Sequence, residues 1–343
     1  MIPIQNIYYM LSYAFQVLNE QGYKNIATEQ FNNVAELCAA ILSKGISLQL
    51  KRGLGREYIE QTEALSSLRG RIEISESIKT RSMLKKQLIC SYDDFSVNSY
   101  MNRIIKTTMG LLLHADISKA RKKELRKLLV FFGEVQLLDI HTINWNVQYN
   151  RNNQTYQMLI SICYLVIKGL LQTNSDGTTR LMDFLDEQRM NRLYEKFILE
   201  YYAKECPQVR ATASQIPWAL DDGVNAMLPV MQSDIMLTRG NEVLIIDAKY
   251  YTHTTQTQYD VHTLHSANLY QIFTYVKNKD TEFGEEPHKV SGMLLYAATD
   301  EAIQPDNSYQ MSGNKISVKT LDLSKDFSHI SEQLQNIVNE HFS

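Results

Sequence analysis

The spacing of hydrophobic positions changes several times along this chain, and each change marks an element. Apolar residues at helical spacing over 7–18 and 35–42 predict two short helices. Beyond Lys44-Gly45 the period falls to two. Ile46-Ser47-Leu48-Gln49-Leu50 alternates as a strand would, a glycine-punctuated basic loop follows over 51–56, and 68–74 alternates again. The segment 45–74 therefore reads as a small β-rich subdomain. Met101, Ile104, Ile105, Thr108, Leu111 and Leu112 form the stripe of an amphipathic helix over 98–114. A second helix is expected over 119–132. It carries six Lys or Arg against one Glu between Lys119 and Lys127. That run suits a solvated face or a face that touches phosphates. The most apolar helix is expected over 156–171.

The polar stretch 148–154 (QYNRNNQ) reads as a linker. It divides the chain into an N-terminal mixed helical and β-rich domain, 1–150, and a C-terminal domain, 151–343. In the second domain a helix is expected over 187–204 and strands over 209–220, 228–238 and 242–250. Ser266 reads as the N-cap of a helix running to about residue 276. Strands over 293–297 and 316–321 and a helix over 328–341 complete an α/β (α+β) pattern.

Composition narrows the class. Of the 343 residues 44% are hydrophobic and 21% charged, as expected of a folded protein rather than a disordered one. No apolar run is long enough for a membrane span, and the N-terminus lacks a basic n-region and a cleavage site. Cys38, Cys90, Cys163 and Cys206 lie far apart without CxxC spacing, which fits reduced, buried thiols and a cytoplasmic protein. The net charge of −3 means that any contact with nucleic acid comes from local patches or from a partner.

The chemistry concentrates in LPVMQSDIMLTRGNEVLIIDAKY, residues 228–250. If Gly240-Asn241 forms a two-residue hairpin turn, Asp234 lies directly opposite Asp247 and the two side chains share a face. Lys249 shares that face because strand side chains alternate. Two facing carboxylates repel unless a cation lies between them, and Mg²⁺ prefers carboxylate and water oxygens. The trio is thus a candidate Mg²⁺ site for phosphodiester hydrolysis, with Lys249 aiding a water or the phosphate. The plain alternative is a surface Asp-Lys lattice. Gly53-Leu54-Gly55 lacks the rest of a nucleotide-binding motif, so the chain is not expected to bind a nucleotide itself.

Asp234 followed by Asp247-Ala248-Lys249, with Glu195 on a preceding helix and Gln271 on a following one, is similar to the PD-(D/E)XK nuclease pattern. More narrowly, the chain resembles the McrC family, the nuclease subunits of McrBC modified-cytosine (5-methylcytosine) restriction systems. The stretches that carry this are PIQNIYYMLSYAF (3–15), LRGRIE (68–73), NRIIK (102–106), LYEKF (193–197), LPVMQSDI (228–235), LIIDAKYY (244–251) and NLYQ (268–271). The resemblance implies a restriction-endonuclease-like C-terminal domain in which Asp234 and Asp247 bind metal, Lys249 is the catalytic lysine and Glu195 is a third acid. Gln271, with Tyr275 one helical turn on, would orient the phosphate or the lysine. Such nucleases often carry proline before the first aspartate. Here Ser233 stands there, with Pro229 five residues earlier. The resemblance further implies a hexameric AAA+ GTPase partner of the McrB type that binds the GTP, methylated double-stranded DNA as substrate, and pairing of two copies during cleavage. Lys51, Arg52 and Arg56 are the candidate ring-contacting residues of a β-rich finger. The rival readings are a stand-alone DNA-processing nuclease and a non-catalytic adaptor that activates an AAA+ NTPase.

Overall fold

The first helix, α1 (Ile4–Ala14), is held by the last third of the chain. Its Tyr13 ring packs against Phe197, Tyr201 and Phe327, and the Tyr13 hydroxyl donates to Glu205 at 2.9 Å. Asn6 Nδ2 donates to the carbonyls of Leu323 and Lys325 at 2.8 and 2.7 Å. The computed structural model describes residues 2–15, 18, 23, 26, 29–149, 153–176, 187–251, 255–258, 261–301 and 304–342. The chain divides into one unit made of Met1–Glu20 with Leu185–Ser343 and another made of Gln21–Phe184. The division expected near residue 150 is therefore corrected at both ends. The aromatic face of α1 is buried against C-terminal helices, and the long helix after the polar stretch stays with the N-terminal unit. Residues 150–152 of that stretch lie outside the described ones.

The 21–184 unit packs α2 (Val34–Arg52), α4 (Tyr100–His114), α5 (Lys119–Leu129) and α6 (Gln154–Asp176) together. Asn33, Ser99 and Ser118 cap three of these helices by accepting from backbone N–H groups three residues on. Between α2 and α4 the chain leaves as a three-stranded sheet: β1 (Glu57–Leu65), β2 (Arg71–Ile72) and β3 (Leu88–Ser96), with α3 (Ile74–Lys79) near its far end. The strand expected at Ile46–Leu50 is instead the last part of α2. Gly45 does not break that helix. A Cβ there would stand 2.4 Å from Leu159 Cδ2, so the glycine lets α6 approach closely, and burial of Ile41, Leu42 and Ile46 carries the helix onward. The β-rich subdomain thus begins at Glu57 and extends to Ser96.

The other unit is built on a six-stranded sheet in the order β12-β13-β11-β8-β7-β4. Its strands are β4 (Arg210–Thr212), β7 (Ile235–Arg239), β8 (Glu242–Lys249), β11 (Lys289–Ala297), β12 (Asn307–Met311) and β13 (Asn314–Leu321). Strands β8, β11 and β13 run parallel, and α8 (Ser266–Thr281) crosses from β8 to β11. Central strands of this kind are covered on both faces, which is why β8 and β11 read as continuous apolar runs. Ile272 and Val276 of α8 pack on Val243, Ile245, Val290, Leu294 and Ile316. Helices α7 (Glu187–Glu205) and α9 (Phe327–His341) complete the unit, with two short pairs, β5 (Gln215–Ile216) with β6 (Met231–Gln232) and β9 (Thr255–Gln258) with β10 (Val261–Leu264). The two long strands expected over 209–220 and 228–238 are each broken near their middle. Ser233 N–H donates to Ser214 O at 3.0 Å, and the bend lets the 210–216 segment pair first with β7 and then with β6. The α8 cap is His265 rather than Ser266.

Candidate active site

The hairpin of β7 and β8 places the acids. Its ladder runs from Arg239↔Glu242 to Ile235↔Ile246, the register set by the Gly240-Asn241 turn, with Gly240 at φ +58°. Asp234 is the next residue out and lies across from Asp247. It has left strand geometry at the Ser233 bend, so its carboxylate reaches past its neighbour. Asp234 Oδ2 accepts from the Ala248 N–H at 3.0 Å. Asp247 is 1% exposed and Asp234 half-buried.

Burial raises both aspartates above the ordinary carboxylate range, and the two carboxyls are close enough to share a proton. Lys249 opposes that shift. Its ammonium stands 3.0 Å from each oxygen of Asp247, yet only Oδ1 receives a hydrogen bond. Asp247 Oδ2 is buried with none. Burial alone would lower the Lys249 pKa, but Asp247 and Asp234 together hold it above its usual value. The lysine is therefore a fixed cation.

Helix α7 brings the third acid to the same place. Burial, reinforced by Asp234, pushes the Glu195 carboxyl up to about 7, and Lys249 and Arg192 pull against this. Asn191, one turn earlier on α7, donates through Nδ2 to Glu195 Oε1 and accepts from the Tyr250 N–H at 2.7 Å. One side chain thus ties the end of β8 to the helix that carries the acid. The sequence signal for Asn191 was its i, i+4 spacing to Glu195.

Gln271 is not joined to the trio in the same way. Its Nε2 donates along α8 to the Tyr275 hydroxyl at 3.0 Å, as the shared helical face implies. The neighbour of Lys249 on β11 is instead Tyr296, fully buried and directly across the parallel ladder. Its hydroxyl accepts from Asn268 Nδ2 at 3.0 Å, and Asn268 Oδ1 accepts from Tyr251 at 3.2 Å. Lys51 and Arg52 end α2, exposed, and Arg56 is exposed in the turn into β1. All three stand at the root of the projecting sheet.

Three carboxylates meet one ammonium, so the site lacks positive charge. Among the described residues no three His, Cys, Asp or Glu side chains form a ready-made metal cage. Mg²⁺ does not require one, since it is commonly held by one or two carboxylates and keeps several waters. The unsatisfied Asp247 Oδ2 and the repelling acid pair fit such an ion.

The family model for the McrBC 5-methylcytosine restriction system component matches residues 5–297. A protein of Escherichia coli (strain K12), the Type IV methyl-directed restriction enzyme EcoKMcrBC, is 29% identical over 346 aligned positions, covering 99% of this chain and 98% of that protein. Among solved structures, the half-complex of Thermococcus gammatolerans McrB AAA+ hexamers with bound McrC aligns over 98% of this chain and 76% of that one, at 17% identity and a TM-score of 0.49. The cryo-EM structure of the McrBC complex from the same organism aligns over 61% and 60%, at 20% identity and a TM-score of 0.41. With its family model spanning most of its length, the chain belongs to the McrBC 5-methylcytosine restriction system components.

Proposed function

We propose that this chain is the DNA-cutting subunit of its restriction system, a Mg²⁺-dependent endonuclease of the PD-(D/E)XK type acting on methylated double-stranded DNA. The observation that carries this is the buried Asp234–Asp247 pair with Lys249 at 3.0 Å and an unsatisfied Asp247 oxygen. Asp234 and Asp247 would hold the metal, with Glu195 as the third acid. The ion would supply charge stabilisation at the scissile phosphate. Lys249 stays protonated at neutral pH and donates to a phosphate oxygen as negative charge builds there. Glu195, poised near 7, is suited to receive a proton. Asn191 holds that carboxyl in place, and Gln271 with Tyr275 lines the neighbouring helix face for the DNA strand.

The partner in this reading is a hexameric AAA+ GTPase of the McrB type, which binds GTP and chooses the modified site. The projecting sheet of β1–β3 supports a docking role. Tyr58, Leu68, Ile74, Ile78, Met83 and Leu84 are all more than half exposed, an apolar concentration unusual for a free surface. Lys51, Arg52 and Arg56 at its root would meet acidic groups of the ring. Two cuts in a duplex call for two copies working together.

Cleavage of methylated DNA with Mg²⁺, GTP and the partner tests the division of labour. Asp247→Ala and Lys249→Ala should abolish cutting and leave stimulation of the GTPase intact, whereas a Tyr58→Ser, Leu84→Ser variant should lose the stimulation and, with it, partner-dependent cutting. Undiminished cutting by Asp247→Ala would overturn the site. Full cutting without GTP or partner would favour the stand-alone nuclease.

A further inference from the structure

Helix α5 carries a charged stripe that the nuclease site does not use. Lys119, Lys122, Lys123, Arg126 and Lys127 recur at i, i+3, i+4, i+7 and i+8, so they line one face, while Leu125 and Leu128 are buried on the other. Lys119, Lys123, Arg126 and Lys127 are exposed. Arg121, which points away from the stripe, is held by Glu29 and Glu124 at 2.8 Å and lies 3.8 Å from Glu36. No described carboxylate pairs with any of the five stripe cations.

The helix gains nothing from this arrangement. Lys119/Lys123, Lys122/Arg126 and Lys123/Lys127 are like-charge pairs at i, i+4, each of which destabilises a helix. The first turn has no acid, and Lys119 and Lys122 lie toward the positive end of the macrodipole. A face selected only for solubility would interleave both signs. This one concentrates cations over about 12 Å of helix, in a chain whose net charge is −3. A DNA duplex presents about one phosphate charge per 1.7 Å of axis, a density that several cations on one face can meet together.

We propose that the α5 stripe contacts the phosphate backbone of double-stranded DNA, independently of sequence, and so gives this subunit a DNA-holding surface of its own. The preference for DNA over an acidic protein rests on the nuclease reading. The contact itself needs neither metal nor the Asp-Lys trio.

Fluorescence anisotropy of the full chain with an unmodified duplex, in EDTA and over a salt series, tests this. A Lys119→Gln, Lys123→Gln, Arg126→Gln, Lys127→Gln variant removes repulsion within α5, so its fold should persist, as circular dichroism and the melting temperature would verify. It should bind at least about tenfold more weakly at low salt. Its slope of log affinity against log salt should also be shallower by roughly one for each phosphate that is no longer neutralised. A control carrying Lys315→Gln and Lys325→Gln, exposed cations elsewhere, should bind as the wild type does. No binding by the wild-type chain at low salt, an unchanged slope in the α5 variant, or an equal weakening in the control overturns the proposal. So does unchanged DNA binding with abolished GTPase stimulation, which would mean that α5 meets an acidic protein surface. Asp247→Ala should bind normally without cutting. If it cuts, the nuclease reading fails while the binding result still decides the stripe.

Discussion

Lys249 Nζ stands 3.0 Å from both carboxylate oxygens of Asp247, but its hydrogen bond goes to Oδ1 and leaves Oδ2 buried and unsatisfied. Among the described residues the lysine is thus the cation that compensates a buried and a half-buried aspartate, and it does so incompletely.

Substitutions on the two sides of this contact should act in opposite directions. At about pH 8, Lys249→Met leaves the acid pair without its cation and should cost roughly 3 kcal/mol of stability, the lower end for breaking a buried pair. Asp247→Asn removes one of two like charges, and should change stability by no more than about 1 kcal/mol or raise it. Both should abolish cutting. Chemical denaturation of the two variants with the wild type alongside measures the difference. Equal destabilisation would mean that the acids do not repel.

The acids also set a pH dependence. Glu195 titrates near 7 in the fold against an ordinary value of 4.5, so between those values the folded protein keeps a proton that the unfolded chain has released. Its contribution to stability is complete below the lower value and is lost as pH rises through the higher one. The aspartates shift in the same direction. The metal-free protein should therefore melt lower at about pH 8 than at about pH 5.5 through this site. Millimolar Mg²⁺ should restore stability at the higher pH and do little at the lower, because protons and the ion compete for the same oxygens. Calorimetry in EDTA and in Mg²⁺ reads both effects, and a Glu195→Gln background should flatten the slope.

Asn191 acts through Glu195 and not on the substrate. Replacing it with Ala frees the Tyr250 N–H and the Glu195 carboxyl together, at a cost of about 1–2 kcal/mol. Cutting should slow chiefly in kcat, with DNA affinity little changed, and the upper limb of the pH–rate profile should move because Glu195 is no longer held. A purely structural role would leave that profile where it is.

Gly292 tests how tightly α8 is seated. A Cβ there would stand 2.8 Å from Ile272 Cγ1 and from Val276 Cγ2, so even Ala must push the helix outward. Gly292→Ala should cost about 1–3 kcal/mol by overpacking. It should also impair cutting through displacement of Gln271 and Asn268, although Gly292 touches neither acid.

Much of the site was readable because its logic is local. The two-residue Gly240-Asn241 turn sets the hairpin register and so puts Asp234 across from Asp247. The i, i+4 relation of Gln271 and Tyr275 was legible because helical period acts between neighbours, and in the structure the two side chains are joined by a hydrogen bond. The short alternation at Ile46–Leu50 misled, because five residues of strand-like pattern carry less weight than a helix already running and packed through Gly45 onto Leu159.

Other features had no local signature. That α1 is held by Phe197, Tyr201 and Phe327, that Asn191 bridges α7 to Tyr250, and that Tyr296 stands beside Lys249 all depend on contacts between residues far apart in the chain. By itself the sequence determined the hairpin register and most of the elements around it, because turn chemistry and side-chain period act between neighbours. Only the tertiary structure decided how deeply the pair is buried, how it couples to Glu195 and hence how far its protons are held, because burial and charge coupling are set by whatever distant segments pack against the site.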